Sequence, residues 1–485
     1  MSVQDIRELP EGHRISSDVC IIGAGPAGIT VALGLAEAGL HVVLLEAGGR
    51  EVDHRTQRLY EGEIVGQHYR PLDVTRLRML GGSTNHWEGY CRPLDRPDVE
   101  EAQGQGWPIP YGELRRYYEQ AQRLCELPRF DYEADGWANE FNLPLLDVGG
   151  TEVVNSVIHR SRPTRFGERY EDELISSGNV DVYLFANVVE LVAEQDRVSS
   201  VTIADFDGSL RHVEAQQVVI AAGGIENARL LLASDQGRPG GLGNQDDLVG
   251  RYFAEHPHFG SGHLLLPDES PVDFYLEEHQ VDGAAVRGIF TLDPGIRRSH
   301  GIGNITALLH PSRDTMHGGQ HTDAARMLAR TFSHHGGEHV RFQLIAEQRM
   351  RADNRIELST SRDELGMRRS RLRWDLDEVD WRTLRVGMEL FAGGLSAAGV
   401  GPLHSPMHHG RGRVSISWGN HHMGTTRMHE DPAQGVVDPQ CRLHGVENVY
   451  VAGSSIFPTG GWANPTLTLV ALAVRLGEHL REVAG

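Results

Sequence analysis

The sequence predicts an α/β protein in which a mostly parallel, doubly wound sheet is built from both ends of the chain and an antiparallel β-sheet plus helices fills the middle. Three observations predict it. An apolar strand at 18–22 runs into Gly23-Ala24-Gly25-Pro26-Ala27-Gly28 and then into a helix. Two later apolar runs, 218–222 and 448–452, end on Gly223-Gly224 and Gly453, as strands returning to the same sheet would. Between 256 and 400, apolar and polar residues alternate in short runs separated by turn residues, the pattern of an antiparallel sheet.

The elements follow in order. The helix after the glycines spans about 26–38 and is rich in Ala, Leu and Val; the next strand is 41–45 and ends on Glu46. Residues 51–97 are mostly polar around Gly81-Gly82. Residues 111–124 form an amphipathic helix, with Leu114, Tyr117, Tyr118 and Ala121 spaced by three or four. From 174 to 222 the pattern is one of short strands, and 227–234 begins a helix. In the middle region, 339–344 and 368–374 alternate as strands, 314–335 is a His-, Gly- and Arg-rich loop or lid, and 380–398 is a helix. A last helix covers 465–483. The expected division is 1–255 for the first part of the parallel-sheet domain, 256–400 for the inserted domain, and 401–485 for the part that completes the first.

Composition narrows the function. A chain of 485 residues exceeds one small core. A net charge of −21 argues against a phosphate-backbone partner and against an anionic membrane surface, so neither nucleic acid nor membrane is expected. A neutral or cationic small molecule suits it better. The chain has no lysine, which excludes a lysine Schiff base and a P-loop lysine. Cys20, Cys91, Cys125 and Cys441 are scattered, so neither a disulfide framework nor a zinc site is expected. His334, His335, His408 and His409 lack companions at ligand spacing and are read as loop histidines, with no metal. Residues 1–17 lack a signal-peptide pattern and no apolar run is long enough to span a bilayer, so a cytoplasmic protein is expected.

The glycine motif is a dinucleotide fingerprint with its acid in place. Gly23 permits the tight turn, Gly25 lets backbone approach a pyrophosphate, and Gly28 lets helix and strand pack closely. The helix N-terminus offers N–H groups to phosphate. Glu46, about 20 residues on, suits ribose hydroxyls. The fingerprint alone does not separate FAD from NAD.

Further segments do. Glu46-Ala47-Gly48-Gly49, the run Arg78-Met79-Leu80-Gly81-Gly82-Ser83-Thr84-Asn85-His86-Trp87, His421-His422-Met423-Gly424-Thr425, and Ala463-Asn464-Pro465-Thr466-Leu467-Thr468 together resemble the glucose–methanol–choline (GMC) flavoprotein oxidoreductases. The segments around His86 and Asn464 are most similar to the branch of pyranose oxidases and of sugar and aminoglycoside oxidoreductases. The resemblance covers the FAD-binding parts of the chain and is weak over 256–400. It implies a Rossmann-like FAD-binding domain of GMC type, FAD as cofactor, and oxidation of a carbohydrate-type hydroxyl to a carbonyl, with O2 or another electron acceptor. A GMC-fold lyase, or oxidation of a non-carbohydrate alcohol, remains the alternative.

The chemistry needs a hydride acceptor and a group to take the hydroxyl proton, and a histidine suits the second task. The resemblance gives His421 that role, with His422 as its rival. Asn464 falls where the family places a His or Asn facing the same oxygen; it is also a good helix cap. Pro465 and Thr466 open the last helix beside the flavin. His86 aligns with a position that some relatives bond covalently to flavin, and is otherwise packed beside it. Gly81, Gly82, Asn85, Gly223, Gly453 and Ser454 are expected around FAD, and Val188 and Val189 beside its adenine or in the core.

Overall fold

The structure is a computed structural model that describes residues 3–100, 106–267, 271–311, 338–405 and 416–484. The expected lid at 314–335, and His334, His335, His408 and His409, lie outside the described residues.

The first sheet is organised by strand Arg14–Ile22. Val42–Leu45 pairs parallel on one side (Ile22 opposite Leu45) and Leu210–Ile220 pairs parallel on the other. Val180–Leu184 and Val3–Asp5 extend the first edge, and Val449–Val451 joins Leu210–Ile220, all in parallel. Arg197–Ala204 and Asn187–Glu194 add an antiparallel edge. All four residues of Val42–Leu45 are buried, as expected for a strand covered on both faces. Helix Pro26–Glu37, with Pro at its first turn, crosses the C-terminal helix Thr466–Ala484. A Cβ on Gly34 would touch Gly477 Cα at 4.0 Å, so small residues set that approach.

The second sheet is antiparallel, in the order Leu403–His404, Pro257–Leu266, Glu338–Ala346, Ile305–Pro311, Ala284–Leu292, Val153–Arg160, Tyr90–Cys91. His279–Val281 and Ile416–Trp418 pair with it at the side. Helix Glu378–Ala397 packs on this sheet and starts with a capping box between Asp377 and Asp380. Strands from before residue 256 and after residue 400 therefore take part in the same sheet as the middle of the chain.

Two local expectations change. Residues 166–176 are helical, so the strands of the 174–222 stretch begin only at Val180. Phe166, Tyr170 and Leu174 are buried at a spacing of four, a helical period that ran into the strand pattern after it. Strand Arg368–Trp374 pairs antiparallel with Arg355–Arg362 but parallel with Glu63–Gly66, forming a separate three-stranded sheet. Alternation identifies a strand; it does not name its partner. Among the described residues no helix is long and apolar enough to cross a membrane.

Candidate active site

One cavity of about 1250 Å³ runs along the carboxyl ends of the parallel strands and across to the face of the antiparallel sheet. A site for one small molecule is typically about 300–1000 Å³, so this cavity has room for a dinucleotide and a second molecule.

Its first end is built by the glycine turn. Gly23 has φ +106° and donates its N–H to Leu45 O at 2.7 Å; a Cβ there would meet Ala221 O at 2.6 Å. Gly28 packs so closely that a Cβ would sit 1.9 Å from Gly23 O, and it does not line the cavity. Gly25 is the helix N-cap, and open space surrounds its Cβ position. Glu46 is buried at the end of its strand; Oε2 accepts from Ala24 N (3.1 Å) and Oε1 from Gly48 N (2.9 Å). Desolvation raises its pKa, opposed by those backbone donors and by Arg78.

The run 78–87 folds over this turn. Gly81 donates to Ala24 O at 2.8 Å, with φ +89° and Gly167 N 2.5 Å from its Cβ position. Asn85 Nδ2 donates to Leu80 O and Gly82 O, so it holds the turn. Gly82 and His86 line the cavity, while Gly81 and Asn85 stand behind it. Val188 lines it too; Val189 falls where the pairing of Asn187–Glu194 shifts register and does not. Gly223 and Gly453 have positive φ and open space at their Cβ positions, both facing the cavity with Ser454. Asn227 Nδ2 ties Ala452 O to Ser455 Oγ, clamping the two returning strands. Glycine backbone bared along one continuous trough, beginning at a helix N-terminus and a buried carboxylate, fits the extended shape and diphosphate of FAD.

At the other end, His421 Nε2 lies 3.2 Å from Asn464 Nδ2, and both side chains line the cavity. Pro465 and Thr466 follow at the start of the last helix and line it as well. Asn464 makes this contact just before the helix. His421 Nδ1 is 2.9 Å from His256 Nδ1. Burial, then the neighbouring His256, His258 and His422, hold His421 well below the usual histidine range, so it is neutral. His422 turns the other way: its Nε2 bonds Tyr69 Oη (3.0 Å), which donates to Glu255 Oε1 (2.9 Å). Burial pushes Glu255 up to about 8 against several hydrogen bonds, and lowers His422 to about 3. Tyr69 stacks on Trp418, which braces this layer.

Beside His421 the antiparallel sheet brings His258, and His263, His310, Arg341, Gln343 and His404 of that sheet also line the cavity. The sequence reading missed these, together with Glu255 and His256. A signal existed: Glu255-His256-Pro257-His258 places two histidines two apart at a strand entry, on one face. Among the described residues no group of three or more His, Cys, Asp or Glu side chains is arranged to hold a metal.

Fold and trough define an FAD-dependent oxidoreductase. Residues 18–240 match the family of FAD dependent oxidoreductases, and residues 350–473 match the family described as GMC oxidoreductase. The chain is thus similar to the GMC oxidoreductases over its C-terminal part and to FAD-dependent oxidoreductases over its N-terminal part. It is 25% identical to 2-methyl-1,2-propanediol dehydrogenase of Mycolicibacterium austroafricanum, over 96% of this chain and 95% of that one. It is 27% identical to paromamine 6'-oxidase of Streptomyces fradiae, over 94% and 90%. Among solved structures, pyridoxine 4-oxidase from Mesorbium loti superposes with a TM-score of 0.57 at 18% identity, covering 96% of this chain and 99% of that one. That likeness concerns the fold alone.

Proposed function

We propose that the protein oxidises a hydroxyl group of a sugar, amino sugar or aminoglycoside-type alcohol to a carbonyl, with His421 as base and Asn464 orienting the hydroxyl. The observation that carries this is the pair His421 Nε2 and Asn464 Nδ2, 3.2 Å apart on the cavity wall. A hydroxyl set beside both, in place of their direct contact, would give its proton to Nε2 and accept from the amide. Bound FAD supplies the hydride acceptor: the C–H hydrogen leaves with both bonding electrons and the C–O bond becomes C=O. FAD would be held by the trough of Gly23, Gly25, Gly82, Gly223 and Gly453, with Glu46 at its ribose, Val188 near its adenine, and His86 and Thr466 at its ring end. His422 is committed to Tyr69, which favours His421 as the reacting histidine. The polar wall from His258 to His404 suits a polyhydroxylated substrate, and the similarity to the paromamine oxidase agrees with this. The similarity to a propanediol dehydrogenase supports a second reading, a small non-carbohydrate alcohol. We further read 1–255 plus 401–485 as the FAD-binding part and 256–400 as the substrate-binding part, with Tyr90–Cys91, Val153–Arg160, Leu403–His404 and Ile416–Trp418 lent to the sheet of the latter. O2 or another oxidant is the acceptor, and the enzyme is cytoplasmic, in keeping with four free buried cysteines.

The test is an anaerobic absorbance scan of the purified protein against paromamine, D-glucose, D-fructose and 2-methyl-1,2-propanediol. Loss of the flavin band near roughly 450 nm with a sugar or paromamine is the expected result. Bleaching by the diol alone moves the reading to the second class, and product without bleaching makes the protein a lyase. Asn464→Ala should reduce its flavin about 100-fold more slowly with the base intact. An unchanged rate in stopped flow would leave Asn464 as a helix-start residue only.

A further inference from the structure

The neighbour of His421 inside the protein is another imidazole. His256 is fully buried, and the contact is Nδ1 to Nδ1 at 2.9 Å. One proton must lie between the two rings, since two lone pairs or two N–H groups at that distance would repel. His256 is itself fixed. Its backbone N–H donates to Glu255 Oε2 (3.0 Å), and Tyr69 holds the other oxygen of that carboxylate. Its Nε2 is buried against the Gly460–Gly461 backbone, 3.2 Å from where a Cβ of Gly460 would be. The Gly460 and Gly461 backbone acts on the ring in the direction that favours its protonation, although Nε2 closes no hydrogen bond. Burial keeps both rings neutral, so each carries a single N–H.

The two possible polarities differ sharply. With the His256 proton on Nε2, its Nδ1 accepts from His421 Nδ1–H. His421 Nε2 then carries a lone pair toward the Asn464 amide N–H groups. Both contacts of the His421 ring then pair a donor with an acceptor. The reverse polarity sets His421 Nε2–H against the Asn464 amide N–H, donor against donor.

We propose that His256 is a positioning residue that selects the tautomer of His421, holding the proton on Nδ1 so that Nε2 faces the cavity as a free base. The proposal rests on His421 being the base. It assigns His256 no contact with the substrate; its effect passes through the ring it orients.

The experiment compares holoenzymes carrying His256→Asn, His256→Leu and His421→Ala. An Asn carbonyl falls near the Nδ1 position and can still accept from His421; Leu cannot. With paromamine, or whichever compound of the panel bleaches the flavin fastest, His256→Leu should slow flavin reduction about 10- to 100-fold while His256→Asn stays within about 5-fold of the parent. Should the Leu variant not retain flavin, His256→Gln takes its place, because its carbonyl reaches the Nε2 position instead, and the same deficit is expected. Equal rates for the accepting and non-accepting variants, fast or slow, overturn the proposal. A His421→Ala enzyme as fast as the parent would instead overturn the reading of His421. A second measurement needs no turnover. In 15N-histidine-labelled holoenzyme, the signals lost in His421→Ala should show a pyrrole-type Nδ1 and a pyridine-type Nε2, and the opposite assignment overturns the proposal.

Discussion

His421→Ala is expected to keep its bound flavin and to lose at least about 100-fold in the rate of flavin reduction by substrate, the contribution typical of a placed general base. The flavin should stay because the glycine trough and Glu46 that would hold most of it lie on other segments of the chain. The rate should fall because the adjacent histidine, His422, has its Nε2 bonded to Tyr69 and is turned away from His421 Nε2. Stopped-flow reduction under anaerobic conditions reads this, and an unaltered rate rejects the assignment. The parent enzyme should also show little acid limb. Burial and three neighbouring imidazoles lower the pKa of His421, so its base form is kept through the pH range where an ordinary histidine protonates. From about pH 7 to about pH 6, below the titration of Glu255, the reduction rate should therefore be nearly flat, where an ordinary exposed histidine would begin to protonate. A steep fall across that range would mean that the reacting group is not a buried neutral imidazole.

Much of this was legible in the residue order, for a physical reason. Gly23, Gly25 and Gly28 meet three different steric demands at fixed offsets, and the structure shows a distinct close approach or open space at each. His421 and Asn464 sit on short segments that the fold holds together. What was not legible depends on partners far apart in the chain. His256 lies 165 residues from His421, and nothing in its own surroundings names the ring it meets. Asn85 and Gly81 match the motif yet serve the turn rather than the cavity wall, because a pattern marks a backbone shape without saying which atoms face a ligand. The strand at 368–374 shows the same limit: its alternation was plain, its parallel partner at Glu63–Gly66 was not.

Gly28→Ala should destabilise the protein by about 3 kcal/mol or more, whereas Gly25→Ala should fold and lose FAD affinity. The two glycines are three residues apart in one motif, but their surroundings are opposite. A Cβ on Gly28 would lie 1.9 Å from Gly23 O and 3.3 Å from Ile21 Cγ2. The first of these is backbone, and Gly23 is itself pinned by its hydrogen bond to Leu45 O, so the clash is relieved only by pulling helix Pro26–Glu37 off the sheet. A Cβ on Gly25 meets no protein atom within 4 Å, and its φ of −81° suits any residue. That methyl would project into space that a pyrophosphate must reach in order to touch the helix N-terminal N–H groups. Thermal unfolding and the FAD content per polypeptide, measured on both variants, separate the two. Equal flavin loss with equal loss of stability would mean that the motif acts only through packing, and a Gly25→Ala enzyme that holds FAD as tightly as the parent would move the diphosphate away from this turn.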